Sequence, residues 1–221
     1  MRGLPDCAFV PLIRRVSTTI LIMKRNVFLK LTAAFCLATV TSYAADAWKP
    51  EPGFLSLYNG KDLTGWSYRD KEMKPTETLD GKSEATDGRY SAKGEILVVN
   101  PHVEGKGPRL RQFWTAKEFP KDFILKLEFR AAVNADSGIF LRKPQLQCRD
   151  YLVAGPYKEL KKYKAQDWNV IEVVVKDGVA HCTCNGEVLE AALKLPATGP
   201  IGLEADRGTM EYRRIQLKEL P

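Results

Sequence analysis

Apolar residues recur along this chain in short runs, and polar or turn-forming residues separate one run from the next. Short runs rich in Val, Ile and aromatic residues, bounded by Gly, Asn, Asp and Pro, are typical of β-strands. The predicted strands are Phe54–Tyr58, Ile96–Val99, Phe123–Arg130, Gly138–Arg142, Trp168–Lys176, Val179–Cys184, Glu187–Glu190, Ile201–Glu204 and Thr209–Leu217.

Helical periodicity is nearly absent from the chain. The best helical candidate is the short polar segment Lys158–Lys164, which lies inside a long connection from Asp150 to Asp167. Connections of that length are often functional. The pattern as a whole predicts a single all-β domain, built as a sandwich or jelly roll of antiparallel sheets.

Three segments between the runs carry turn chemistry. Asp177-Gly178 and Asn185-Gly186 are the strongest short signals for β-hairpins. Asn134–Gly138 also suits a tight turn, because Asn and Asp bond their own backbone and Gly tolerates a positive φ. We therefore expect Phe123–Arg130 and Gly138–Arg142 to form a hairpin-like pair that delivers Arg142 beside a polar stretch.

The N-terminal part of the chain has the pattern of a leader. Met23-Lys24-Arg25 precedes the apolar segment 27–40, and Ser42-Tyr43-Ala44 ends it with small residues where signal peptidase cuts. This predicts residues 1–44 as a leader with a secretory signal, cleaved near Ala44, and an exported protein, periplasmic or secreted. A start at Met23, which we favour, or a long basic n-region would account for residues 1–22. Residues 45–52 then form a linker to a domain at 53–221.

A stable membrane anchor is not expected, because the apolar segment is too short for a permanent span and Cys36 lacks a lipobox. The leader also explains most of the charge. The chain has a net charge of +7, but residues 1–44 hold six basic residues and one acidic residue, which leaves +2 for the remainder. A near-balanced domain gives no support to a nucleic-acid partner.

Histidines and cysteines give little sign of a metal centre or a nucleophilic triad. His102 and His181 have no Ser/Asp or His/Glu partner nearby in sequence, and no CxxC pair is present. We expect neither a metal nor another cofactor. Pairing of Cys148 with Cys182 or Cys184 is compatible with the sequence, although three buried thiols are favoured.

Carboxylates at strand ends are the stronger candidates for chemistry. They are Asp136, Asp150, Glu204 and Asp206. Paired carboxylates can act as acid and base on sugars when their environments separate their pKa values. Each one taken singly is more often a solvated turn residue, and the sequence does not show which of them converge.

Amides, a guanidinium and aromatic rings could bind a sugar beside those carboxylates. Gln145, Gln147 and Arg149 share one face of a strand by the two-residue period, next to Arg142. Directional donors and acceptors of this kind suit hydroxyl-rich ligands, and an ordinary exposed sheet face explains them equally well. Stacking platforms could come from Trp66, Trp114, Tyr151, Tyr157 and Tyr163, whereas Trp168 is better explained by core packing.

Several motifs together resemble the 3-keto-disaccharide hydrolase family (3-keto-glucoside lyase and hydratase). The segment 53–66, GFLSLYNGKDLTGW, is similar to the family's opening, and 136–142, DSGIFLR, is similar to its NSGIFLR strand. Trp168-Asn169, Asn185-Gly186, 199–203 (GPIGL) and 211–215 (EYRRI) extend the resemblance over the whole domain.

The resemblance implies a concanavalin-like jelly roll and an activity that cleaves glycosides already oxidised at C3. A 3-keto group acidifies the C2 proton, a base removes it, the enolate expels the C1 oxygen, and water can then add. Such a site needs a base of matched pKa and donors for the enolate, and it needs no nucleophile. The expected ligand is therefore a carbohydrate.

The sequence departs from the family at two motifs. Where the family often has Glu, an apolar residue and Gln, this chain has Gln145-Leu146-Gln147, and the family's LQ-x-HG segment is replaced by 203–208, LEADRG. The expected bases are then Glu204, Asp206 or Asp150, and the expected substrate-binding residues are Arg142, Gln145, Gln147, Arg207, Tyr151 and Tyr157. A binding domain that has lost the chemistry, or a structural surface domain, would be the alternative.

Overall fold

The computed structural model describes residues 48–153 and 157–221, which belong to one compact unit. The predicted signal peptide and its cleavage site lie outside these residues, so both stay predictions. Within the described ranges there is no helix long and apolar enough to cross a membrane.

The described residues form fourteen strands. They are β1 (Leu55–Ser56), β2 (Trp66–Arg69), β3 (Pro75–Thr78), β4 (Tyr90–Lys93), β5 (Ile96–Val99), β6 (Arg111–Thr115), β7 (Phe123–Ala131), β8 (Asp136–Leu141), β9 (Gln145–Arg149), β10 (Asn169–Lys176), β11 (Val179–Cys184), β12 (Glu187–Lys194), β13 (Ile201–Ala205) and β14 (Met210–Glu219). The segment 158–164, the best helical candidate in the sequence, forms turns and bends within the long connection.

The strands form two antiparallel sheets, as the sequence predicted for a jelly-roll sandwich. The larger sheet has eight strands in the order β12-β11-β10-β7-β14-β5-β4, with β1 also paired to β14. The smaller sheet has six, in the order β3-β2-β6-β13-β8-β9. β14, the last strand of the chain, therefore lies in the interior of the larger sheet and pairs with β7, β5 and β1.

The core lies between the two sheets, and the two-residue period of the strands builds it. In β7 every second side chain is buried, from Phe123 through Leu127 to Ala131. In the smaller sheet Phe113, Ile139 and Leu203 are wholly buried. Their neighbours in sequence therefore point to the outer face of that sheet.

The connection from β7 to β8 is a crossing between the sheets. β7 pairs with β10 and β14, whereas β8 pairs with β9 and β13, so the predicted hairpin of these two segments is wrong. The turn is made by residues 132–135, with a positive φ at Asn134. Gly138 is not a turn residue but lies inside β8.

The two predicted Gly hairpins are confirmed. Asp177 and Gly178 join β10 to β11, and Asn185 and Gly186 join β11 to β12, all four with positive φ. This double positive φ matches the twist of the flanking strands. Cys148, Cys182 and Cys184 are buried free thiols, as favoured from the sequence, and burial raises the pKa of Cys182 and of Cys184 to about 12.

Candidate functional site

The outer face of the six-stranded sheet gathers polar side chains from four neighbouring strands. Glu204 of β13 lies opposite Gln112 of β6, and Gly138 of β8 lies opposite Gln147 of β9. In the next row, Trp114 lies opposite Gly202, and Gly202 lies opposite Phe140. Directly opposed residues share a face, so these rows form one continuous surface.

Glu204 is the centre of this surface. Its Oε2 accepts a 2.6 Å hydrogen bond from the amide of Gln145, and its Oε1 accepts a 3.2 Å hydrogen bond from the amide of Gln112. The two amides come from strands on opposite sides of Glu204. The carboxylate is therefore held in one orientation while it remains half-buried at the surface.

The contact between Gln145 and Glu204 is possible because residue 138, which lies between them, is a glycine. Gln145 belongs to β9 and must reach across β8 to touch β13. A Cβ atom at Gly138 would lie 2.0 Å from the Gln145 amide nitrogen. Gly138 thus forms a floor over which Gln145 extends.

Opposing influences act on the Glu204 carboxyl. Partial burial raises its pKa above the ordinary glutamate value, and the nearby carboxylates of Asp206 and Asp136 add to that rise. The hydrogen bonds from Gln112 and Gln145 act in the opposite direction, because they stabilise the ionised form. The net shift is upward. A raised pKa is the property expected of a carboxylate that takes up a proton.

A second carboxylate cluster lies on the same face around Asp136. Gln147 donates to Asp136 Oδ1 at 2.7 Å, and Oδ2 lies 3.2 Å from Arg149 and 3.5 Å from Arg207. Arg207 also donates from Nε to the carbonyl of Asn134, and its side chain is 52% exposed. Gln147 and Arg207, both predicted from sequence, therefore lie together.

Asp206 is paired differently. Its Oδ1 lies 3.2 Å from the exposed guanidinium of Arg109. The wholly buried Arg89 fixes the backbone on both sides of this pair, because it donates to the carbonyls of Arg109 and Asp206, and also to those of Asn100 and Pro108. The charge of Asp206 still acts on Glu204, since it helps to raise the pKa of that carboxyl.

The structure keeps the Arg142 guanidinium and the Asp150 carboxylate away from the Glu204 cluster. Arg142 is buried and donates to the carbonyls of Pro196 and Lys121. Its guanidinium therefore holds together the β12–β13 and β6–β7 connections. Asp150 is only 2% exposed and accepts hydrogen bonds from the Asn134 backbone, Tyr163 and Gln166. Asp150 has the same parity along β9 as the core-facing side chains, so its carboxylate is separated from the Glu204 cluster.

The aromatic residues predicted as stacking platforms or as core take different positions in the structure. Tyr151 and Tyr157 are buried, and they pack edge to face with each other at 5.4 Å rather than offering a platform. Trp66 is core and stacks on Phe113. Trp168, expected in the core, is partly exposed and lies under the guanidinium groups of Arg213 and Arg130 on the other sheet.

Sequence reasoning missed Gln112 and Phe140, and it gave Trp114 no position. Trp114 and Phe140 pack together on the outer face, with ring centroids 5.0 Å apart. The alternation Gln112-Phe113-Trp114 is a strand signal, but the short polar run 111–115 was not recognised as a strand. Within the two described ranges, no group of three residues of the His, Cys, Asp or Glu types could hold a metal ion.

Comparisons with known proteins agree with this architecture. The family model of the 3-keto-alpha-glucoside-1,2-lyase-like domain matches residues 53–218. A candidate glycosyl hydrolase from Parabacteroides distasonis ATCC 8503 superposes with a TM-score of 0.58 and 17% identity, covering 76% of this chain and 95% of that one. A second glycosyl hydrolase candidate from that organism superposes with a TM-score of 0.50 and 17% identity, covering 62% of this chain and 93% of that one. A search of the curated proteins found no match.

Proposed function

The chain belongs to the family of 3-keto-alpha-glucoside-1,2-lyase-like domains, and we propose that it cleaves glycosides whose sugar ring carries a ketone at C3. The observation that carries the proposal is Glu204, a half-buried carboxylate with a raised pKa that two amides hold on the outer face of a sheet. Asp206 forms an ion pair with Arg109, and Asp150 is buried. Glu204 is held by neutral amides and stays half-exposed, so we assign the base to Glu204.

The reaction follows from this assignment. The ionised Glu204 takes the C2 proton, and the electron pair of that C–H bond moves into the enolate of the C3 ketone. The enolate returns its electrons to form the C1–C2 double bond, and the C1–O bond breaks with its electron pair on the leaving oxygen. That oxygen takes a proton from water, Glu204 releases the C2 proton to solvent and is ionised again, and water can add to the unsaturated keto sugar. A positioned base typically contributes about 10²–10⁴-fold to such a rate.

The developing enolate needs a donor or a positive charge nearby. Arg207 is the best-placed predicted residue, because it is half exposed and lies beside Asp136 on the same face as Glu204. Its contacts use Nε and one terminal nitrogen, and the other terminal nitrogen makes no hydrogen bond within the described residues. Arg142 is not available for this task, since its two terminal nitrogens are engaged.

A binding domain without catalysis is the second candidate. Gln145 stands where the family often has a carboxylate, and no histidine follows Leu203. An amide at that position cannot accept a proton. The same amides, with Glu204 and Arg207, would still suit the hydroxyl groups of a sugar.

Turnover of a 3-keto-glucoside, compared with its parent glucoside, tests the proposal. The purified protein should release the aglycone from the keto form only, because only the ketone acidifies the C2 proton. Glu204→Gln should lower that rate by about 10²-fold or more and leave the unfolding midpoint unchanged.

Glu172→Gln is the matched control, because Glu172 lies on β10 in the other sheet and contacts Lys126. It should behave like the parent protein. Equal release from both glucosides, or full activity in Glu204→Gln, would contradict the assignment. Sugar binding without any release would favour the binding domain.

A further inference from the structure

A cleft of about 480 Å³ opens on the same face, next to the Glu204 cluster. Four connections surround it: the β2–β3 turn, the β6–β7 connection, the β8–β9 turn and the segment between β12 and β13. A ring of six atoms with one or two substituents fits a cleft of this volume.

The floor of the cleft is aromatic. Phe140, which is half-buried, is the accessible ring, and Trp114, only 6% exposed, supports it from the side at an angle of 50°. The Trp114 ring lies directly against the backbone of Gly202, where a Cβ atom would lie 2.5 Å from the ring. This glycine lets the Trp114 ring pack against the sheet and hold Phe140 in place. The exposed part of an aromatic ring favours ligands that present an apolar face.

The cleft lies about one sugar ring away from the proposed base. Gly202 and Trp114 are each two residues along their strands from Glu204 and Gln112. Two residues of a strand span roughly 7 Å. A sugar with its C2 at Glu204 would therefore place its C1 substituent within reach of the cleft, which makes the cleft a subsite for the leaving group.

The rim of the cleft is positively charged. Lys71 and Lys143 are exposed lining residues, and neither forms an ion pair within the part of the chain that the structure describes. The one lining carboxylate, Glu118, lies 3.7 Å from Arg69 and accepts a hydrogen bond from Thr198. Glu118 is therefore partly neutralised by Arg69. Arg142 also lines the cleft, but its guanidinium is bound to the carbonyls of Pro196 and Lys121, so the two lysines are the cations left to meet an anion.

We propose, building on the proposed function, that this cleft selects a leaving group with a flat apolar face and a carboxylate. Two chemical sources supply that combination: an aromatic hydroxy acid and a hexuronate. In either case the C1–O bond breaks, the leaving oxygen takes the proton, and the product alcohol keeps its carboxylate beside Lys71 and Lys143. The product should then bind the free protein and compete with substrate.

Calorimetric titration of the isolated leaving groups tests the cleft without any turnover. 4-Hydroxybenzoate is compared with the neutral 4-cresol, and glucuronate with glucose. At least one carboxylate should bind about tenfold more tightly than its neutral counterpart, and the advantage should shrink with added salt. The pair that shows the difference identifies the source.

Variants of the rim separate charge from contact. The double variant Lys71→Gln/Lys143→Gln should remove the advantage of the carboxylate and leave the neutral ligand unchanged. Phe140→Ala should weaken both ligands of a pair alike. Lys176→Gln, at the exposed end of β10, is the matched control and should change nothing.

These outcomes are independent of catalysis. Glu204→Gln should bind the fragments as the parent protein does, so loss of turnover with intact fragment binding would overturn only the assignment of the base. Equal binding of charged and neutral fragments, or an advantage that survives loss of both lysines, would overturn the subsite.

Discussion

The pKa of Glu204 is raised by some features of its surroundings and lowered by others. Burial and the carboxylates of Asp206 and Asp136 favour its protonated form, whereas the amides of Gln112 and Gln145 favour its ionised form. Single substitutions should therefore move the pKa of Glu204 in either direction.

We predict opposite shifts for two variants. Asp206→Asn removes a repelling charge, so the pKa of Glu204 should fall and the acid limb of kcat/KM should move to lower pH. Gln112→Ala removes a donor to the carboxylate, so the pKa should rise and the limb should move to higher pH. Carboxyl titration by NMR with labelled glutamate measures the same quantity without substrate. Shifts of the same sign would show that the two influences have been misassigned.

Gly138 offers a second test at the scale of a single side chain. Its φ is not positive, so alanine fits the backbone, but its Cβ atom would displace the amide of Gln145. Gly138→Ala should lower turnover by about tenfold or more, because the carboxylate loses a charge-assisted hydrogen bond. The unfolding midpoint should hardly change, since the side chain that must move, from Cγ to the amide, is exposed and flexible.

Gln145→Ala serves as the control for that experiment. It should match Gly138→Ala, and the double variant should lose no more than either single variant, because both remove one contact. Additive losses would mean that Gly138 acts through the backbone instead.

Residues on strands could be placed from sequence where parity alone decides their face. Gln145 and Gln147 follow the two-residue period, and the structure places both on the outer face. Arg142 lies just beyond the end of β8, where the path of the chain rather than parity decides the direction, so its burial could not be anticipated from spacing. Asp150 follows β9 with the parity of its core-facing side chains, and the two-residue period does indicate its burial.

At the scale of elements, the long apolar strands were predictable and the short polar ones were not. β7, β10 and β11 are β-branched or strictly alternating, and the hairpins of the larger sheet carry their own Gly signals. β3 and β4 read PTET and YSAK, which have neither property. Pairing with neighbours that are distant in sequence stabilises these strands, and that information is not local.

The crossing from β7 to β8 shows the same limit. An Asn-containing turn is compatible with a hairpin or with a step from one sheet to the other, and the local residues are alike in both. The choice is made by pairing partners, β10 and β14 on one side and β9 and β13 on the other.

Arg89 connects elements through main-chain carbonyls, which allows a prediction of stability. Arg89→Met should cost roughly 3–5 kcal/mol of unfolding free energy, because four acceptors lose a wholly buried donor. Arg109→Met, whose guanidinium is 65% exposed, is the control and should cost less than about 1 kcal/mol. Urea denaturation measures both. Equal losses would mean that Arg89 contributes no more than a surface ion pair.

At the scale of the whole molecule, the two-sheet sandwich was predictable from the number of short strands and the spacing of turns. Net charge is also distributed unevenly along the chain, because most of the net positive charge lies in residues 1–44. The domain therefore presents a nearly neutral surface on which local features, such as Lys71 and Lys143 at the cleft, stand out electrostatically.

The position of β14 also governs when this protein can fold. The chain is synthesised from its N-terminus at about 5–20 residues per second, so the final strand emerges only after roughly 10–45 s. Until then β7, β5 and β1 each lack the neighbour that joins them, and the larger sheet is divided into separate pieces. Formation of the larger sheet is thus coupled to the emergence of β14, and the strands made before it remain without the neighbour that unites them.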